Sequence, residues 1–344
     1  MSETALVVCP GRGTYNAGEL GHLARHGAAY ADALERFDAA RQRAGRPGVR
    51  ELDAAAAFSP AVHTAGEHAA ALIYACSLVD FLSLDCDRFE VVAVTGNSMG
   101  WYTALALGGA LTHDDGFQLA DTMGAMMAQG IVGGQLVYPE VDARWRPDPE
   151  AAALLDAALA EANAEPGAQA YLSIRFGSYR VLAGNEAGLK ALARRLPERD
   201  ERFPMRLANH AAFHTPLMAP TSPRAFDHVP PAGFRTPALP LIDGRGHVWS
   251  PQTSDPEALY RYTLGHQVVE PFDFTQAIAV GLKEFAPERV VVLGPGTTLG
   301  GAIGQVLVAL RWHGIDAKDA FDARQAADPF LLSMGRDDQR ARVV

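Results

Sequence analysis

The chain has 344 residues, 48% of them hydrophobic and 20% charged, which suits one large or two ordinary globular domains and excludes disordered, collagen-like and coiled-coil classes. A net charge of −10 argues against a nucleic-acid partner, since binding to phosphate backbones draws on clustered Lys and Arg. No apolar run approaches the ~18–20 residues of a membrane span. Neither signal peptide nor anchor is visible, and Cys9, Cys76 and Cys86 are too few and too irregular for disulfides or zinc, so a cytoplasmic, metal-free protein is expected.

In chain order, Ala5–Cys9 reads as a buried strand ended by the tight Pro10-Gly11-Arg12-Gly13 loop. Helical stretches follow over Gly27–Arg43 and Gly66–Leu82. A second buried run, Phe89–Thr95, ends at Gly96-Asn97-Ser98-Met99-Gly100 and gives way to helical Trp101–Leu107. Thr112 with Asp115 three residues on announces another helix, through Phe117, Ala120, Gly124 and Met127. From Gly130–Gly134 onward the character changes: short strands Gln135–Tyr138, Ala170–Ile174 and Tyr179–Ala183 alternate with helices Glu150–Ala164 and Glu186–Arg195. That is a small α+β unit inserted into a larger α/β sheet, which resumes around Phe203–Leu207 and includes Arg289–Leu293. The predicted division is a discontinuous α/β core, 1–130 and 204–320, a small subdomain, 131–203, and a fraying polar tail, 321–344.

Gly96–Gly100 fits G-x-S-x-G, in which the glycines permit a sharp strand-to-helix turn, the serine hydroxyl is lifted clear, and the next backbone N–H faces a developing oxyanion. Ser98 is the candidate nucleophile, although such turns also occur without catalysis. Its base would be His214, in Ala212-Phe213-His214-Thr215-Pro216-Leu217-Met218; a structural histidine before Pro216 is the plain alternative. The Gly11–Gly13 loop lacks the third glycine of a dinucleotide fingerprint, Asn16 standing there, so no nicotinamide or flavin is expected.

These segments resemble the malonyl-CoA:acyl-carrier-protein transacylase family, which includes the acyltransferase domains of fatty-acid and polyketide synthases. The likeness covers nearly the whole chain. It is carried by Pro10–Gly13 (usually P-G-Q-G), Gly96–Gly100 (usually G-H-S-x-G), Phe213–Met218, and Leu293-Gly294-Pro295-Gly296, in the family's order. The resemblance implies an α/β fold, a hydrolase-like parallel-sheet core with an inserted ferredoxin-like subdomain. It implies that Ser98 takes an acyl group from acyl-CoA, with His214 as base and the amides of Arg12 and Met99 as oxyanion hole. The acyl-serine would then pass to the phosphopantetheine thiol of an acyl carrier protein, in fatty-acid or polyketide biosynthesis. CoA is a substrate, no cofactor is implied, and a monomer is the default. The family's histidine-orienting position, usually Gln or Asn, aligns with Asp273 in Pro271-Phe272-Asp273-Phe274, which would complete a Ser-His-Asp set; the same residue also reads as a helix N-cap.

The main departure lies on the helix after the elbow. Malonyl-specific relatives carry an arginine that pairs with the malonyl carboxylate, and Met123 occupies that position here. Burying a carboxylate without its partner costs about 3–5 kcal/mol, so an acyl group other than malonyl is expected, with Met123 either an apolar pocket wall or part of a core stripe with Met126 and Met127. Arg12 and Arg175 are the two arginines that could replace the clamp and restore malonyl transfer. Gly11, Asn97 and Trp101 complete the expected substrate-binding set. Carrier proteins are usually acidic, so Arg194 and Arg195, in a run continuing through Arg199, Arg202 and Arg206, are a candidate docking patch, or a solvated helix end. Two further readings stay open: an editing thioester hydrolase, favoured slightly by an Asp273 triad, and a non-catalytic docking protein.

Overall fold

The computed structural model describes residues 2–129 and 132–344. In chain order its strands are β1 (Glu3–Cys9), β2 (Phe89–Gly96), β3 (Gly134–Pro139), β4 (Ala170–Phe176), β5 (Tyr179–Gly184), β6 (Met205–Arg206), β7 (Leu241–Ile242), β8 (Val248–Trp249), β9 (Phe272–Asp273), β10 (Arg289–Val292) and β11 (Leu331–Ser333). They form a six-stranded sheet, β11-β10-β1-β2-β7-β8, and a five-stranded sheet, β6-β3-β5-β4-β9.

In the larger sheet β1 lies between parallel neighbours β10 and β2, and its residues from Ala5 to Cys9 are fully buried. Helices cover such a sheet on both faces, which is why the apolar run is continuous and does not alternate. The helix Gly66–Leu82 is buried along most of its length, from Ala69 to Asp80. A turn of such a helix with no polar face can only sit inside a core. Beside it packs the helix His113–Ala125, whose first turn is capped as the sequence predicts: Thr112 Oγ1 accepts from the Asp115 N–H at 3.0 Å.

In the smaller sheet β5 lies between β3 and β4 and runs antiparallel to both, and the helices Pro149–Asn163 and Glu186–Arg195 pack against it. Two features differ from the sequence expectation. Met205–Arg206 does not return to the larger sheet but pairs with β3, Leu136 opposite Arg206. The second is β9, which pairs parallel with β4 and leads straight into the helix Phe274–Phe285 against β2, so it joins the two sheets. The predicted boundary between 130 and 131 lies outside the described residues.

The tail does not fray. A helix, Lys318–Ala327, brings β11 alongside β10, and Val343 is fully buried. Arg340 places Nη1 2.5 Å from Asp80 Oδ1, and Asp80 also receives the Gly294 N–H and stands 2.9 Å from His22 Nε2. The tail is anchored both by this buried ion-pair network and by buried Phe330, Leu331, Leu332 and Met334, apolar residues too few and too closely grouped among polar ones to stand out in the sequence. Among the described residues no helix is long and apolar enough to cross a membrane.

Candidate active site

The turn after β2 is as tight as its two glycines require. A Cβ on Gly96 would strike the backbone of Gly100, and one on Gly100 would strike the carbonyl of Cys9 in β1. Between them Ser98 takes φ 54°, in the left-handed region that L-residues seldom occupy. The strained residue is therefore the one whose hydroxyl is presented.

Ser98 Oγ lies 2.7 Å from His214 Nε2. His214 also has positive φ, 56°, and is 4% exposed. Its Nδ1 stands 2.6 Å from the main-chain oxygen of Gln267. A carbonyl can only accept, so Nδ1 carries the proton and Nε2 is free to receive that of the serine. Burial lowers the pKa of His214 from 6.5 to about 4, keeping it neutral and basic in form at ordinary pH.

Asp273 is not the orienting group. Its carboxylate caps the following helix, accepting from the Gln276 N–H at 2.7 Å, and its other oxygen lies 3.7 Å from Arg175 Nε. Pairing of β9 with β4 sets Asp273 opposite Arg175 and so commits it to that side of the strand. The orienting residue is Gln267, which the sequence reading missed. Besides its carbonyl, Gln267 donates from Nε2 to the Ser98 carbonyl at 3.2 Å and accepts from the Tyr102 hydroxyl at 3.1 Å. It follows directly on a π-helical turn, Tyr262–His266, a distortion frequent at functional sites. A main-chain carbonyl has no sequence signature, whereas a carboxylate near the right place does.

The main-chain N–H groups of Arg12 and Met99, the expected oxyanion donors, meet no protein acceptor among the described residues, and Met99 is the N-cap of the helix Gly100–Leu107. Gly11 serves this wall without lining the cavity; a Cβ there would collide with the Asn97 carbonyl. Its role is close approach of the two loops, not substrate contact.

Ser98 and His214 open into a cavity of about 400 Å³. One wall is rich in methionine, with Met99, Met123, Met127 and Met218, and the opposite wall comes from the smaller sheet, with Val137, Ile174, Phe176, Tyr179 and Val181. Met123 and Asn97 therefore lie where the sequence put them. Trp101 does not: it is fully buried, its indole N–H donates to Thr263 Oγ1 at 3.0 Å, and it lies behind the elbow in the core. Arg175 is likewise outside the cavity lining, paired to Asp273. Arg12 does line the cavity. Its Nη2 donates to the carbonyls of Thr64 and Asn209, its guanidinium lies over Phe213, and its Nε is buried without a partner among the described residues. Burial brings its pKa down to about 10.

The arginine run is largely neutralised internally. Arg194 and Arg195 both pair with Glu165, and Arg195 also reaches Glu161. Arg206 pairs with Glu186. Arg202 is exposed, lines the cavity and stacks over Phe203, with no acidic partner among the described residues. Local positive charge thus sits at Arg202 and not at the helix end carrying Arg194 and Arg195.

No protein-family model and no curated protein sequence matches the chain. Solved structures do. A malonyl-CoA:acyl carrier protein transacylase from Xanthomonas oryzae pv. oryzae covers 99% of this chain and 98% of its own, with a TM-score of 0.75 at 22% identity. The chain has the malonyl-transacylase fold. A malonyl-CoA:ACP transacylase from Synechocystis sp. PCC 6803 is similar over 99% of this chain and all of its own, TM-score 0.74 at 20% identity. A malonyl-transacylase solved in complex with its type II polyketide acyl-carrier protein covers 99% of this chain and 98% of its own, TM-score 0.73 at 17% identity. The malonyl-transacylase fold accounts for the two-sheet arrangement and for the cleft between sheets in which Ser98 and His214 meet.

Proposed function

We propose that this protein is an acyltransferase that moves an acyl group from acyl-CoA, through acyl-Ser98, to the phosphopantetheine thiol of an acyl carrier protein, and that the acyl group lacks a second carboxylate. The observation that carries this reading is the Ser98 Oγ to His214 Nε2 contact of 2.7 Å, with Nδ1 oriented by Gln267, at the wall of a largely apolar cavity. Ser98 Oγ attacks the thioester carbon as its proton passes to Nε2, the oxyanion receives the Arg12 and Met99 N–H groups, and the CoA thiolate leaves with the proton from Nε2. The carrier thiol then reverses these steps. A thiol has a pKa near 8.5, so its thiolate is an easy leaving group and the imidazolium formed in passing needs no carboxylate behind it.

Met123 on the cavity wall supports an uncharged acyl chain, since thioether and methionine-rich surroundings solvate alkyl groups and not carboxylates. Two cavity-lining guanidiniums without an acidic partner among the described residues, those of Arg12 and Arg202, favour malonyl instead. The hydrolase reading loses its sequence support, because Asp273 caps a helix and does not back His214. The test is intact-protein mass after brief exposure to acetyl-, propionyl-, butyryl-, malonyl- and methylmalonyl-CoA, with Ser98→Ala as control. A monocarboxylic increment absent from the control is expected; a malonyl increment transfers the clamp role to Arg12 or Arg202, and no increment from any ester removes the proposal.

A further inference from the structure

His210 lies four residues before His214 and lines the same cavity, and the mechanism above leaves it unused. Its Nδ1 is 2.7 Å from Gln135 Oε1. Gln135 Nε2 donates to Ser173 Oγ at 2.7 Å, and Ser173 Oγ stands 2.7 Å from the carbonyl oxygen of Phe213. Gln135 and Ser173 are 1% and 0% exposed, so water does not rearrange this chain.

The chain fixes every proton in it. The Phe213 carbonyl can only accept, so the single hydroxyl proton of Ser173 goes there, and Ser173 must accept from an amide N–H. That sets Gln135 with its oxygen toward His210, which makes Nδ1 the donor and leaves the lone pair on Nε2. Nε2 has no protein partner among the described residues and stands 3.9 Å from where a Cβ on Gly13 would be. Burial and the charge of Arg12 press the ring's pKa down to about 3, so it remains neutral. The cavity thus contains, beside the oxyanion loop, an acceptor that cannot become a donor.

Resting on the acyltransferase reading, we propose that His210 is a positioning residue whose Nε2 accepts the hydrogen bond of the pantetheine amide N–H nearest the thioester. Both half-reactions bring the same arm, whether on CoA or on the carrier, and that amide is two methylenes from the sulfur. The leaving sulfur takes its proton from His214 Nε2 and so lies within reach of it, and the amide two methylenes on then falls inside the cavity that His210, four residues before His214, also lines. Neither the thioester carbonyl nor the sulfur carries a proton to offer, so a fixed acceptor discriminates for the arm and against truncated thioesters.

The test compares an N-acetylcysteamine thioester with its oxygen isostere, an S-acyl 2-mercaptoethyl acetate, each carrying the acyl group that the CoA panel loads. A missing donor opposite a buried acceptor costs roughly tenfold or more. The wild type should therefore acylate Ser98 at least about tenfold faster in kcat/KM from the amide than from the ester. His210→Leu should lose that ratio, and His210→Gln, which can present a side-chain oxygen, should restore part of it. Equal rates in the wild type, or a His210→Leu variant that slows both thioesters alike, would overturn the proposal. A 3-hydroxybutyryl ester preferred over butyryl in the wild type but not in His210→Leu would assign Nε2 to an acyl hydroxyl and overturn it also. If neither thioester labels Ser98 while the protein is folded, the acyltransferase reading itself has failed.

Discussion

His214 Nδ1 stands 2.6 Å from the carbonyl oxygen of Gln267, and the base is thereby oriented by backbone, with no carboxylate in line. The relation has two physical consequences. The tautomer is fixed by an acceptor that cannot be lost by mutation of a side chain, and the imidazole gains no charge partner that would raise its pKa. Such a site suits the exchange of one thiol for another, in which the leaving group is stable as an anion.

Asp273→Asn should leave acyl transfer within about twofold of the wild type, because Asn is as good a helix cap as Asp. Asp273→Ala should cost stability, about 1 kcal/mol from the lost cap, with transfer intact. Thermal unfolding together with the rate of Ser98 labelling checks both. A fall of ~10⁴ in rate, as when a triad carboxylate is neutralised, would contradict the assignment to Gln267.

Met123→Arg restores a cation to the cavity wall. The expected outcome is a shift in the ratio of malonyl to butyryl labelling of Ser98 of about a hundredfold toward malonyl, from the pairing of an otherwise unpartnered carboxylate. Competition between the two CoA esters, read by mass, measures it directly.

Acylation requires unprotonated Nε2. With His214 lowered to about 4 by burial, the rate should rise through pH 4 and be level above it, with no inflection near 6.5. The same shift sets the sign for stability. Between pH 6.5, the ordinary histidine value, and about 4, the unfolded chain binds a proton that folded His214 refuses, so stability is fully present above 6.5 and falls as pH drops through that window. His210, lowered to about 3, acts in the same direction and extends the loss further down. Tm measured from pH 7 to 4 should decline, and less so in His210→Gln.

Reversing Arg194 and Arg195 to Glu should leave the KM for a carrier protein within about twofold, because their charge is already matched by Glu161 and Glu165 and exposed pairs contribute little. Arg202→Glu, at an exposed arginine with no acidic partner on the cavity rim, should raise it several-fold and more strongly at low salt. Steady-state transfer at two ionic strengths distinguishes the two patches.

Much of the site was legible because its residues obey local rules. Gly96 and Gly100 are demanded by the turn that presents Ser98, and Thr112 with Asp115 marks its helix by a side-chain bond three residues long. The inserted α+β unit showed in the alternation of short strands and Ala-rich helices. What escaped depends on distant partners. Gln267 works through a carbonyl that every residue possesses. Trp101 directly follows the elbow glycine, yet its side chain turns inward to Thr263, a contact between residues far apart in sequence. Met205–Arg206 joined the smaller sheet because β3 offered it an open edge, and the C-terminal strand pairs with β10, the segment after it being tied by Arg340 to Asp80, an ion pair spanning most of the chain.

The central claim is transfer through Ser98, and it is tested most directly by isolating the acylated protein free of CoA and following its mass with and without a phosphopantetheinylated carrier. The account predicts an adduct that persists in buffer and discharges onto the carrier within one turnover, its mass gained by the carrier thiol. Loss of the adduct to water at the same rate whether or not the carrier is present would contradict it.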